Sequence, residues 1–125
     1  QARDYAMGRY AFGRSIASYQ AIKHKLAGMY VKNTLARSNC YYGAWALDSD
    51  SSELALAAAT ARVGSIQASV HAAEENVQTH GGMGFTWELD CQFYYRRAKL
   101  LSVNIGSEGY WQDRLITAYE QTNAA

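Results

Sequence analysis

The stretch Ser52–Thr79, SELALAAATARVGSIQASVHAAEENVQT, decides the fold. Leu56, Ala59, Val63, Ile66, Val70, Ala73 and Val77 recur at alternating intervals of three and four, which draws one apolar stripe along a helix. A helix of that length runs about 42 Å. It packs well only against neighbours of similar length, so antiparallel helices follow. Ala59 and Ala73 on the stripe let a partner helix approach closely.

Working outward, the residues before the stripe read the same way. A helix is expected from about Ser18 to Leu47, with the face Ile22, Leu26, Met29, Asn33, Ala36, Cys40, Gly43, Leu47. Asp48-Ser49-Asp50-Ser51-Ser52 is the turn between the two long helices, and Asp50 with Glu53 fits a capping-box variant. The chain opens on what reads as the tail of a helix reaching about Ala11, interrupted by Gly13. On the far side, Gln78-Thr-His-Gly-Gly-Met-Gly-Phe-Thr-Trp-Glu88 breaks the pattern. Gly81 and Gly82 suit positive φ at a helix end, and Thr86 is expected to cap a fourth helix over about Trp87–Val103 with Glu88 in its first turn. Gly106-Ser107-Glu108-Gly109 is a second break, followed by a last helix over about Tyr110–Tyr119. The expected class is all-α: an antiparallel, up-down four-helix bundle with an extra short C-terminal helix, one domain over residues 1–125.

Composition agrees. The 125 residues contain no proline, 49% are hydrophobic and 18% charged, which excludes a disordered or highly charged tail. A net charge of +1 gives no electrostatic case for nucleic acid. No apolar run approaches the roughly 18 residues that span a bilayer, so no membrane partner is expected. Residues 1–4 resemble neither a signal nor a transit peptide, and the lack of an initiator Met suggests a piece of a longer polypeptide. Cys40 and Cys91 both fall at helical spacing, and the expectation is reduced, buried thiols in a cytoplasmic protein.

Few constellations carry chemistry. His71 with Glu74 and Glu75 lacks the second Glu-x-x-His that a dinuclear bundle needs, so it is read as a solvated face and no metal is expected. His24 and His80 have no nucleophile at motif spacing. The glycine corner lacks the Gly-Lys-Ser/Thr of a phosphate loop and the preceding strand of a dinucleotide fingerprint. Two readings of it stay open: a plain helix–loop–helix turn, or bare backbone amides that hold an anion or the polar edge of a cofactor. Arg9-Tyr10-Ala11-Phe12-Gly13-Arg14 sets two guanidiniums beside an aromatic ring, suited to phosphate contact and ring cover, or simply a plug between solvated charges. Gln20 follows seven residues after Gly13, and Arg96-Arg97-Ala98-Lys99 reads as a charged outer face.

Taken in order, Arg9-x-x-Phe12-Gly13, Gln20, Gln78-x-x-Gly81-Gly82-x-Gly84-Phe85 and Arg96-Arg97-Ala98-Lys99 resemble the C-terminal helical domain of acyl-CoA dehydrogenases. The resemblance implies a flavoprotein about three times as long, assembled as a homo- or hetero-oligomer (dimer or tetramer), that removes an α-proton from an acyl-CoA substrate and passes the β-hydride to FAD. It implies that Arg9, Phe12, Gln20, Gln78, Gly81 and Gly82 contact FAD bound mainly to the neighbouring subunit. It also implies a glutamate base, in some members on the long helix that opens the domain, which would lie before Gln1, and in many shortly after the basic run. Here an ungapped count from Lys99 puts Ile105 at that position, and Glu108, three residues later, is the candidate catalytic carboxylate. Ala11 replaces a hydroxyl residue common in the first element. Some relatives pair a catalytic subunit with one that has lost its base, and the Gly-Ser-Glu-Gly loop is similar to theirs. The alternative is therefore a non-catalytic assembly subunit, and in either case the isolated chain is expected to be inactive.

Overall fold

The computed structural model describes residues 1–124 and is almost entirely helical. The order is α1 (Ala2–Gly8), β1 (Tyr10–Ala11), β2 (Arg14–Ser15), α2 (Gln20–Asp48), α3 (Leu54–His80), α4 (Cys91–Val103) and α5 (Glu108–Asn123). Two single 3₁₀ turns, Ile16–Ser18 and Gly81–Phe85, precede α2 and follow α3. Among the described residues, no helix is long and apolar enough to cross a membrane.

Helix α3 is the hub, as its apolar stripe requires: α1, α2, α4 and α5 all pack on it. Helices α2 and α3 form an antiparallel hairpin. The Lys25 ammonium pairs with Glu75, the place of a Gly28 side chain faces His71, Gly43 faces Ala57 and Ala61, and Gly64 faces Asn39 and Ala36. The contact is close because small residues line it: a Cβ on Gly64 would lie 3.1 Å from Asn39 Nδ2. Helices α4 and α5 lie end to end along α3. Lys99 of α4 bonds Glu74 (2.8 Å), and Glu108 at the start of α5 bonds Gln67 (2.7 Å). Counted by columns rather than by helices, the two short helices together match the length of one long one.

Several local expectations are corrected. The first helix stops at Gly8, because residues 10–15 form a hairpin instead of a helix tail. Helix α4 starts at Cys91, not Trp87. The Thr86 hydroxyl donates back to Met83 O (2.9 Å) and caps nothing downstream, and Glu88 lies in the loop before the helix. Only Gly81 of the corner pair has positive φ (59°). The capping box does not form: Ser51 Oγ accepts from Glu53 N–H (3.2 Å), while the Glu53 carboxylate accepts from Tyr42 OH. On α2, Asn33, Cys40 and Leu47 are exposed rather than core-facing. Leu47 loses its cover because the chain opposite it is already in the turn before α3.

The core is made of small residues: the largest fully buried side chain is Cys91, and most other buried apolar positions are alanine. The molecule exposes 8343 Å², about a quarter more than a compact monomer of 13.9 kDa. Much of that excess is aromatic and aliphatic surface on α2, α4 and the hairpin. Surface of this kind marks faces made for contact.

Correcting the expectation of two buried thiols, Cys40 is exposed while Cys91 is buried, and both are free. Burial pushes the Cys91 thiol above its usual range. A thiol reagent such as Ellman's is therefore expected to titrate one cysteine in the folded chain and two in guanidinium. Two equivalents in the native state would mean that α4 does not cover Cys91.

Candidate functional site: one pole of the helical hairpin

The α2–α3 pairing runs so that paired residue numbers sum to about 100, as in Lys25 with Glu75. The N-terminus of α2 and the C-terminus of α3 therefore share one end of the molecule. Three sequence elements separated by up to about seventy residues meet at this pole.

The first is the hairpin. Tyr10 pairs with Ser15 and Ala11 with Arg14, leaving Phe12 and Gly13 as a two-residue turn. Both have positive φ (53° and 79°), as a type I′ turn requires. The turn throws the Phe12 ring outward at 97% exposure, with Arg9 and Arg14 also exposed. The hairpin is pinned from behind. Ser15 Oγ donates to Ala6 O (2.8 Å), Tyr19 OH donates to Ala11 O (2.9 Å), and the Arg14 guanidinium lies 4.0 Å above the Tyr19 ring. The second element is Gln20, exposed at the first position of α2, where the helix start has no side-chain cap. Its uncapped N–H groups carry the positive end of a 29-residue helix.

The third element is the glycine corner. Gly81 N–H bonds back to Gln78 O and ends α3 with φ 59° and ψ −139°, a region only glycine takes readily. Gly81 and Gly82 are exposed, and a Cβ on either would meet nothing within 4 Å. The third glycine is different: a Cβ on Gly84 would lie 2.5 Å from Val77 O. Gly84 is a packing residue that folds the 3₁₀ turn onto α3 and leaves its two predecessors uncovered. Gln78 is exposed beside the turn and shares with Gly84, Phe85, Gln92 and Tyr95 a mostly apolar hollow of about 220 Å³.

Sequence reasoning missed what stiffens this corner. His80 is buried, its Nδ1–H donates to Asn76 O (2.7 Å), and its ring lies 4.2 Å from that of Tyr5. Asn76 in turn donates from Nδ2 to Gln1 Oε1 (3.0 Å). The last turn of α3 is thus locked to α1. Helical spacing offered a signal, since Asn76 and His80 stand four residues apart on the buried side.

Glu108 lies elsewhere. It sits beside Gln67, eleven residues and so about 16 Å along α3 from Gln78. Its carboxylate accepts from Gln67 Nε2 (2.7 Å) and Gln112 Nε2 (3.0 Å). Of the His71-Glu74-Glu75 trio, Glu74 is exposed and pairs with Lys99 of α4, while Glu75, half-buried, pairs with Lys25 of α2. The hydrogen bond to Glu74 pushes the Lys99 ammonium above its usual range.

Exposed arginines, a projecting aromatic ring, a helix start without a side-chain cap and a bare glycine corner thus stand at one end of this all-α domain. The chain belongs to the acyl-CoA dehydrogenase family: residues 1–118 match the family described as "Acyl-CoA dehydrogenase, C-terminal domain". The acyl-CoA dehydrogenase IpdE2 of Mycobacterium tuberculosis is 41% identical over 95 residues, covering 76% of this chain and 28% of that protein. FadE34 of the same organism is 39% identical over 118 residues, covering 94% of this chain and 16% of that protein. Among solved structures, butyryl-CoA dehydrogenase from Megasphaera elsdenii superposes with a TM-score of 0.89 at 25% identity, over 94% of this chain and 30% of that one. The ChsE4–ChsE5 complex of M. tuberculosis gives 0.87 at 26% identity, over 97% and 32%. The chain therefore spans about a third or less of the length of the relatives it matches.

Proposed function

We propose that this chain is the C-terminal domain of an FAD-dependent acyl-CoA dehydrogenase and completes the FAD site of a neighbouring subunit. One observation supports the reading: Arg9, Phe12, Gln20, Gln78, Gly81 and Gly82, all exposed or open, belong to elements at the same end of the α2–α3 hairpin. The residues fit the group. A dinucleotide has phosphates, which exposed guanidiniums and bare amides bind, and flat rings, which an outward phenylalanine covers. Gly81 and Gly82 matter because open backbone lets a ligand approach where a Cβ would hold it off. Bound there, FAD supplies the acceptor for a hydride from the β-carbon of an acyl-CoA. This chain's own work is to bind and orient: Arg9 opposite phosphate, Phe12 over a ring, Gln78 and Gln20 donating amide N–H. Free thiols at Cys40 and Cys91 fit a cytoplasmic setting.

Glu108 enters this reading as a clamp between α3 and α5 rather than as the proton acceptor, because Gln67 and Gln112 both hold its Oε1 there and it stands about 16 Å along α3 from Gln78, away from the pole. That same observation favours a second reading, a subunit that has lost its base and serves a heteromeric assembly. The two share the FAD site and differ in whether the base comes from another part of the polypeptide. The test of the shared part is flavin retention by the assembled protein. Gln78→Ala is expected to lower FAD affinity about tenfold, the worth of one or two hydrogen bonds, with the melting temperature unchanged. Retention equal to that of the unsubstituted assembly would remove the pole from the flavin site.

A further inference from the structure

The two halves of the pole are built on separate parts of the chain. Arg9 and Phe12 belong to the segment that follows α1, whereas Gly81 and Gly82 follow α3. Among the described residues, no hydrogen bond joins residues 9–15 to residues 81–86. The hairpin is fixed to α1 instead. Arg9 N–H donates to Tyr5 O (2.8 Å), and Ile16 N–H donates to Arg9 O (2.8 Å) and closes the hairpin's base. The span between the halves is therefore set by how α1 sits on the last turn of α3.

Two side-chain contacts set that seat, on either side of the buried Ala2 and Ala6. At the start of α1, Asn76 Nδ2 donates to Gln1 Oε1 (3.0 Å). One turn further on, the His80 ring lies against that of Tyr5, 4.2 Å away and tilted by 32°. The second contact is the nearer to both halves: the Tyr5 carbonyl holds Arg9, and His80 is joined directly to Gly81. Packing alone does not account for a histidine there. Its Nδ1–H donates to Asn76 O, a carbonyl of its own helix, so the bond adds no tie between helices. The bond holds the ring in one orientation against Tyr5. A side chain free to turn at this place would let α1 rock, and the hairpin with it. A ligand that touches both halves thus meets a preset span, and ordering that binding would otherwise have to impose is done in folding.

We infer that His80 is a positioning residue: stacked on Tyr5, it fixes the distance from the glycine corner to Arg9 and Phe12, so that one dinucleotide engages both. This rests on the flavin reading of the pole and adds to it a buried residue that acts through its neighbours.

FAD titration of the assembled protein, stripped of flavin, tests it. His80→Ala and Tyr5→Ala are each expected to weaken FAD binding about tenfold. The two together should weaken it no more than either alone, since both break one contact. Tyr5→Phe keeps the ring and should bind FAD as the unsubstituted protein does. His80→Phe keeps the stack and lacks the Nδ1–H; it should assemble normally and bind FAD at least about threefold more weakly. Ile66→Ala separates positioning from general loosening. Ile66 is buried on α3 about 21 Å from His80, and its loss should lower the melting temperature with FAD affinity unchanged. Full affinity in His80→Ala and Tyr5→Ala, with Gln78→Ala weakened, would keep the pole at the flavin site and strike the positioning role. Full affinity in all three would strike both. Losses that multiply in the double variant would mean that the two rings act separately, and full affinity in His80→Phe that the anchor to Asn76 does nothing; either overturns the inference. So does an equal loss of affinity in Ile66→Ala.

Discussion

Gly84→Ala is expected to cost about 3 kcal/mol of folding stability, at the upper end for overpacking. The new methyl would stand 2.5 Å from Val77 O and 3.1 Å from Val77 Cα. Both are backbone atoms of α3, so no side chain can rotate aside, and the 3₁₀ turn must lift off the helix. Thermal unfolding followed by circular dichroism measures it. The contrast lies two residues away. Gly82→Ala adds a methyl to open space at a residue without positive φ, so its stability should change by less than about 0.5 kcal/mol. Its effect should fall on FAD retention instead. If Gly82→Ala destabilised as much as Gly84→Ala, the corner would be packed and not open. If Gly84→Ala were neutral, Val77 and the turn would not be in contact, and the exposure of Gly81 and Gly82 would lose its cause.

That pair of glycines also shows what the sequence could and could not convey. The stripe from Leu56 to Val77 specified α3 because one side of a long helix must be buried along its whole length, which imposes a period. The corner was legible because three glycines punctuate any helix. Which glycine serves conformation, which serves packing and which stays open was not legible, since only the path of the chain after His80 distinguishes them. Thr86-Trp87-Glu88-Leu89-Asp90 is compatible with a helix, and α4 is delayed to Cys91 by the tight turn that Gly84 permits. The start of α5 was recoverable: Ser107 Oγ accepts from Tyr110 N–H (3.3 Å), an N-cap hidden by reading Gly106–Gly109 as a plain break.

The hairpin was illegible for a related reason. Two-residue strands are too short to show alternation, and the usual marker of a type I′ turn is Asn-Gly or Asp-Gly. Here the turn is Phe12-Gly13, with a bulky aromatic residue held at φ 53°. A left-handed backbone costs a side chain of this kind about 1–2 kcal/mol. The surrounding bonds from Ser15 to Ala6 O and from Tyr19 to Ala11 O hold it there nonetheless. Folding alone gives no reason for the ring: it is 97% exposed and no aromatic partner covers it among the described residues. Strain maintained against an alternative that asparagine would relieve is the pattern of a residue kept for binding. Phe12→Asn should therefore raise the stability of the chain by about 1 kcal/mol, or roughly 4 °C in melting temperature. The same change should lower FAD retention by the assembled protein at least about tenfold, through loss of a ring stacked on the cofactor. The two signs are independent. A fall in melting temperature would mean that the turn prefers phenylalanine for packing, and the strain argument would fail. A rise in melting temperature with flavin fully retained would keep the hairpin geometry and strike Phe12 from the cofactor site.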